Sequence, residues 1–178
     1  MLTGKKIVLG VSGGIAAYKM ANVASMLSKL HADIHVVMTE NATHFITPET
    51  FEVLTGNHCY TDTFDRCMEL HVPHIALGTQ ADAILIAPAS ADVVGKIANG
   101  IADDMLTTCV LPATCPVMLA PSMNVHMYEN PIVQDNMKIL EKYGYEVISP
   151  AVGYLACGDT GAGKMPEPDV LLDYILQE

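Results

Sequence analysis

The first residues suited to chemistry are Gly10-Val11-Ser12-Gly13-Gly14-Ile15-Ala16-Ala17-Tyr18-Lys19. Glycines let a backbone approach a ligand closely, and the free N–H groups of a following helix start, with its positive dipole end, suit a phosphate. The loop is neither G-x-G-x-x-G nor a P-loop, so a phosphate or nucleotide site and a tight structural turn both stay open. Next, Met38-Thr39-Glu40-Asn41 stands where a dinucleotide fold carries its ribose-binding acid, and Glu40 is either that acid or one that starts a helix. Two later segments share an opening, Ala87-Pro88-Ala89-Ser90-Ala91-Asp92 and Ala120-Pro121-Ser122-Met123-Asn124-Val125-His126-Met127-Tyr128. Their likeness points at one cleft. Ser90 or Asp92 reads as a helix cap, whereas Asn124, a neutral amide among methionines, can bind a carboxylate without adding charge. In His71-Val72-Pro73-His74 no Cys or His cluster completes a metal site, and none is expected. His74 is either a base at neutral pH, as an imidazole can be, or a structural histidine. Last comes Tyr154-Leu155-Ala156-Cys157-Gly158-Asp159-Thr160-Gly161-Ala162-Gly163-Lys164-Met165, a thiol in a glycine-rich stretch, where it can enter and leave a site.

These residues must be positioned by regular elements. Continuous apolar runs at Lys6–Val11, Asp33–Met38, Ala83–Ala87 and Val117–Ala120, with a weaker one at Tyr145–Ser149, read as strands covered on both faces. Helix-period segments lie between and after them, at Ala16–Leu30, Pro48–Leu54, Asp92–Asn99, Met105–Leu111, Pro131–Tyr143 and Asp169–Leu176. Alternation of this kind predicts an α/β fold, a parallel sheet with helices on both faces. Ligands in such sheets sit beyond the carboxyl ends of the strands, where the candidate residues fall. No repeat or linker divides residues 1–178, which read as one domain. Residues 151–168, rich in Gly and Pro and without apolar period, read as a long functional loop.

Composition narrows the class of partner. Nine Lys and Arg against 20 Asp and Glu leave a net charge of −11, which argues against nucleic acid or an anionic membrane surface. Yet only 16% of residues are charged and 51% are hydrophobic, with mean hydropathy +0.31. Such a chain has little polar skin, so some apolar surface is expected to be buried between subunits. Five cysteines without a CxxC pair point to a reduced, cytoplasmic setting rather than a disulfide scaffold. Lys5-Lys6 and the run after it fail as a signal peptide, because Ser12-Gly13-Gly14 interrupts the apolar stretch.

Taken in order, these motifs resemble those of the homo-oligomeric flavin-containing cysteine decarboxylases. The loop Gly10–Lys19, the pair His74-Ile75, Pro88–Val93 at the family's P-A-S-A-N-T motif, Pro121–Tyr128 at its P-x-M-N-x-x-M-W motif and Ala156-Cys157-Gly158-Asp159 at its flap motif carry the likeness. The resemblance implies a flavodoxin-like, Rossmann-like sheet and an FMN cofactor. FMN would meet Gly14, Ile15 and Ala16 at its phosphate, Thr39, Asn41 and Phe45 after the second strand, and Ser90, Ala91, Asp92 and Ser122 near its ring. It implies decarboxylation of a cysteine-derived substrate such as phosphopantothenoylcysteine, through a thioaldehyde, loss of carbon dioxide and reduction of an enethiol. His74 would be the base, Asn124 the carboxylate binder and Cys157 the proton donor, with Ala156 and Met165 also against the substrate and residues 151–168 as a closing flap. Trimers or dodecamers are implied. Two departures stand out: Asp92 and Val93 replace the motif's Asn and Thr, so Asp92 must be protonated, paired or differently placed. Lys96 and Lys164 are available to a substrate phosphate. The rival implications are a peptidyl-cysteine decarboxylase of lantibiotic maturation and a non-catalytic flavin-binding regulator.

Overall fold

The computed structural model describes residues 1–64, 72–154, 158 and 160–177. Six parallel strands form its main sheet: β1 (Lys6–Val11), β2 (Asp33–Met38), β3 (Cys59–Tyr60), β4 (Ala83–Ala89), β5 (Val117–Pro121) and β6 (Glu146–Val147), in the order β3-β2-β1-β4-β5-β6. Continuous apolar runs were the reason to expect doubly covered strands, and successive residues of β1 show it. Leu9 and Val11 enter one core, packed by α1 (Lys19–Lys29), α2 (Pro48–Thr55) and α8 (Pro168–Gln177) through Met20, Leu27, Phe51 and Leu171. Val8 enters the other, packed by α3 (Pro73–Gln80), α4 (Ala91–Ala98), α5 (Met105–Val110) and α7 (Pro131–Lys142) through Leu77, Val93, Leu106 and Leu140.

Several elements depart from the reading of the sequence. β3 is two residues long, too short for an apolar run to mark it, and α3 carries Gly78 and Thr79, weak helix formers that blur its period. The third correction concerns residues 151–168, which were expected to be a loop. They contain an antiparallel hairpin of β7 (Ala151–Tyr154) and β8 (Thr160–Lys164). Gly153, Gly161 and Gly163 supply no side chains to alternate, so only backbone pairing reveals these strands.

The hairpin rests on the end of β5. Met123 donates its N–H to the Gly163 carbonyl at 3.0 Å, and Gly163 has φ +130°, with a Cβ there colliding with the Met123 carbonyl. Only glycine meets both demands.

Candidate functional site

β1 sits at the point where the sheet reverses its strand order, with β2 on one side and β4 on the other. The loops leaving β1 and β4 therefore diverge, and a crevice opens beyond the strand ends. It is a cleft of about 580 Å³. One wall is Gly13–Ala16 with Tyr18 and Lys19; the second is Ser90 and Ala91 after β4, with Ser122, Met123, Asn124 and Met127 after β5; the third is Gly163, Lys164, Met165 and Glu167 from β8 and the turn beyond it.

The loop after β1 is fixed by a buried hydroxyl. Ser12 Oγ donates to the Pro88 carbonyl at 2.6 Å and accepts from the Ser90 N–H at 2.9 Å, stapling the ends of β1 and β4 together. Gly13 packs against the turn after β2 so closely that a Cβ would lie 2.6 Å from Asn41 Cβ. A single 3₁₀ turn, Ile15–Tyr18, then runs into α1, and no described residue accepts from the backbone N–H of Gly14, Ile15 or Ala16. These donors line the cleft and suit an anion. Ser90 caps α4, its Oγ accepting from the Val93 N–H at 3.3 Å. Asn124 caps the short α6 (Val125–Tyr128), its Oδ1 accepting from the His126 N–H at 2.8 Å, which fixes the amide on the cleft wall.

Charge concentrates where the first and third walls meet. Lys19 Nζ lies 2.8 Å from Glu167 Oε1, and Lys164 Nζ lies 3.4 Å from the same oxygen. The hydrogen bond from Lys19, then the charges of both lysines, hold the Glu167 carboxyl below its usual range. By contrast, burial pushes the Cys59 and Cys109 thiols up to about 12 each, and Glu52 and Glu49 add to the shift at Cys59. Both are inert core residues.

Of the expected site residues, Gly14, Ile15, Ala16, Ser90, Ala91, Ser122, Asn124 and Met165 line this one cleft. Thr39, Asn41 and Phe45 stand on the adjoining turn after β2 rather than on its wall. Thr39 Oγ1 accepts from the Ala42 N–H at 3.3 Å, Asn41 backs Gly13, and Phe45 is exposed. Asp92, expected beside the cofactor, is not on the cleft wall either. Its carboxylate pairs with Lys96 at 3.2 Å, one helical turn on, and Lys96 also reaches Asp103 at 3.1 Å and Asp104 at 3.5 Å. Burial alone would lower the Lys96 pKa, but the hydrogen bonds to Asp103 and Asp92 outweigh it and push the pKa up. So Asp92 replaces an amide without placing a bare charge in the cleft. His74 lies in the first turn of α3, off the cleft wall, with Nδ1 buried and without a hydrogen-bond partner among the described residues. Ala156 and Cys157 lie outside the described residues. Ser12, Lys19 and Glu167 were not singled out as site residues; Ser12 and Lys19 sit inside the glycine loop motif, whereas no local pattern marks Glu167.

A flavoprotein family model matches residues 1–178. The chain belongs to the flavoprotein family. It is 49% identical over 169 residues to the coenzyme A biosynthesis bifunctional protein CoaBC of Bacillus subtilis, covering 95% of this chain but 42% of that protein, so the chain spans about two fifths of such relatives. It is 43% identical to the probable phosphopantothenoylcysteine decarboxylase of Streptococcus mutans, covering 98% of each. Among solved structures, a cysteine-to-serine mutant of PPC decarboxylase complexed with pantothenoylaminoethenethiol superposes with a TM-score of 0.87 at 31% identity, covering 97% of both chains. The donor set fits a family that binds flavins: backbone N–H groups at Gly14–Ala16, without an acceptor among the described residues, suit a phosphate, and Met123 and Met127 with the hydroxyls of Ser90 and Ser122 suit a flat polar-edged ring.

Proposed function

We propose that this chain is an FMN-dependent decarboxylase that converts 4′-phosphopantothenoylcysteine to 4′-phosphopantetheine and carbon dioxide. The observation that carries this reading is a single cleft uniting an anion-binding loop, Gly14–Ala16, with the fixed amide of Asn124. Support comes from relatives of matching length and fold. In this reading the loop N–H groups hold the FMN phosphate, Ser90, Ala91 and Ser122 meet the ring, and Thr39, Asn41 and Phe45 border the cofactor from the turn after β2. The chemistry FMN supplies when bound is reversible two-electron exchange at the thiol-bearing carbon, which provides the electron sink that loss of a carboxylate requires.

The chain's own residues bind, orient and move protons. Asn124 donates from its amide nitrogen to the substrate carboxylate, orienting it while adding no charge. His74 is the base for the substrate thiol, and Cys157 gives back a proton when the enethiol is reduced. Ala156 and Met165 border the substrate, and residues 151–168 act as the flap. We further infer a homo-oligomer, a trimer or a dodecamer, with the cleft at a subunit boundary. The position of His74 off the cleft of its own chain supports that arrangement. A cytoplasmic location accords with the free Cys59, Cys109 and Cys115, and no helix among the described residues is long and apolar enough to cross a membrane.

The test is incubation of FMN-loaded protein with phosphopantothenoylcysteine and mass spectrometry of the product. The expected result is loss of carbon dioxide with a saturated thioethylamide. With Cys157→Ser, carbon dioxide is still released but the product stops at the enethiol. Decarboxylation of a C-terminal cysteine peptide instead of this substrate would reverse the assignment.

A further inference from the structure

Where the first and third walls of the cleft meet there is a charge arrangement that the reaction outlined above does not use. Lys19 begins α1, Lys164 ends β8, and Glu167 stands in the turn leading to α8, so three separate segments converge. Both ammonium groups meet one oxygen, Glu167 Oε1, at 2.8 and 3.4 Å. The side chain of Lys19 is 12% exposed and that of Lys164 42%, so one cation is largely withdrawn from water and the other sits at the rim. Two cations share one anion here, which leaves a local excess of +1 in a chain whose net charge is −11. Lys96 offers no such excess, since Asp92, Asp103 and Asp104 surround it away from the cleft.

One carboxylate oxygen between two ammonium groups occupies the place that an oxygen of a phosphate monoester would take. A phosphate monoester carries a charge of about −1.5 to −2 at pH 7 and three acceptor oxygens, so it satisfies two lysines better than one carboxylate does. In the proposed function the backbone N–H groups of Gly14–Ala16 in the same cleft serve the cofactor phosphate, which leaves the lysine side chains for a second one. We propose that Lys19 and Lys164 form the subsite for the substrate's phosphate, with Glu167 filling it until the substrate arrives. This deepens the decarboxylase reading and rests on it.

Entry of the substrate then exchanges one charge-assisted pairing for another. Glu167 keeps the lysines gathered and rejects weaker anions, at some expense in affinity for the right one.

The experiment compares KM for phosphopantothenoylcysteine and for dephosphorylated pantothenoylcysteine in the FMN-loaded enzyme. Lys19→Met and Lys164→Met are each expected to shrink the wild-type preference for the phosphorylated substrate by about tenfold, the size of one lost charge-assisted contact. Glu167→Gln is expected to shift that preference the opposite way, which guards against a lysine variant that merely folds badly. Affinities for FMN and riboflavin, followed by flavin fluorescence, separate the two phosphates. A loss confined to FMN would give the lysines to the cofactor and overturn the proposal, as would equal effects on both substrates or a weaker preference in Glu167→Gln. Wild-type enzyme that decarboxylates neither substrate would overturn the decarboxylase reading itself.

Discussion

At the scale of single residues, Ser12 has the largest leverage on the cleft for its size. It is wholly buried, and its hydroxyl joins two strand ends that are 76 residues apart in sequence. Removing that hydroxyl leaves the Ser90 N–H without its protein acceptor and takes the shorter of two donors, the other being the Ser12 N–H at 3.3 Å, from the buried Pro88 carbonyl. Ser12→Ala should therefore cost about 1–3 kcal/mol, read as a lower denaturant midpoint at unchanged slope. Wild-type stability in that variant would show that the staple is not what joins the loops. Residue identity alone marked Gly14, Asn124 and Ser90 as candidates, because their chemistry is local: a free N–H, an amide, a cap. For Asp92 the sequence left protonation, pairing and a changed placement all open, for the opposite reason. Its role depends on Lys96 one turn along α4 and on Asp103 and Asp104 beyond that helix, and no motif shows where those ammonium and carboxylate groups meet.

At the scale of elements, the sheet is tied at both ends. Ser12 closes the cleft end, and Asp82 closes the other, accepting from the Lys6 backbone N–H at 2.8 Å and pairing with Lys5 at 3.0 Å. The Lys6 hydrogen bond first, then that of Lys5, lowers the Asp82 pKa. A carboxyl whose folded pKa lies below its unfolded value stabilises the fold above the unfolded value and loses that contribution as pH falls toward the folded one. Asp82→Asn should thus be less stable than wild type at pH 7. The gap should close as pH drops below about 4, the ordinary carboxylate range; a gap independent of pH would refute the charge-based tie. Five of the six main strands, β6 by a weaker run, and most helices were readable because burial on both faces demands continuous apolar runs, and helices demand a 3.6-residue period. β3 and the β7–β8 hairpin were not, since two residues make no pattern and glycines have no side chains to alternate.

At the scale of the whole molecule, the opposition between acidity and apolarity resolves into two separate effects. Much of the apolar excess lies in the two cores that cover the sheet. The remainder includes Val72, Ile75, Ile101 and Leu111, each more than two fifths exposed in the single chain. For the proposed oligomer, equilibrium sedimentation should report a mass that is a multiple of 19.1 kDa, with three subunits as the smallest unit. A stable monomer at micromolar concentration would overturn it. The acidity, in turn, is not a steering field for phosphorylated ligands. In the proposed function their recognition falls to short-range donors, the loop N–H groups and the paired lysines, which act within a few ångströms and need no favourable net charge.

The amino-acid sequence by itself determined the alternation of strand and helix, the glycine loop after β1 and the two Ala-Pro strand ends, because each is a local pattern of burial, capping or backbone freedom. Only the tertiary structure decided which of those residues share a cleft. Strand order around β1, the docking of Gly163 on Met123 and the meeting of Lys19 with Glu167, 148 residues later, are consequences of long-range packing. Contacts of that range leave no periodicity in a sequence, since neither partner's neighbours announce the other.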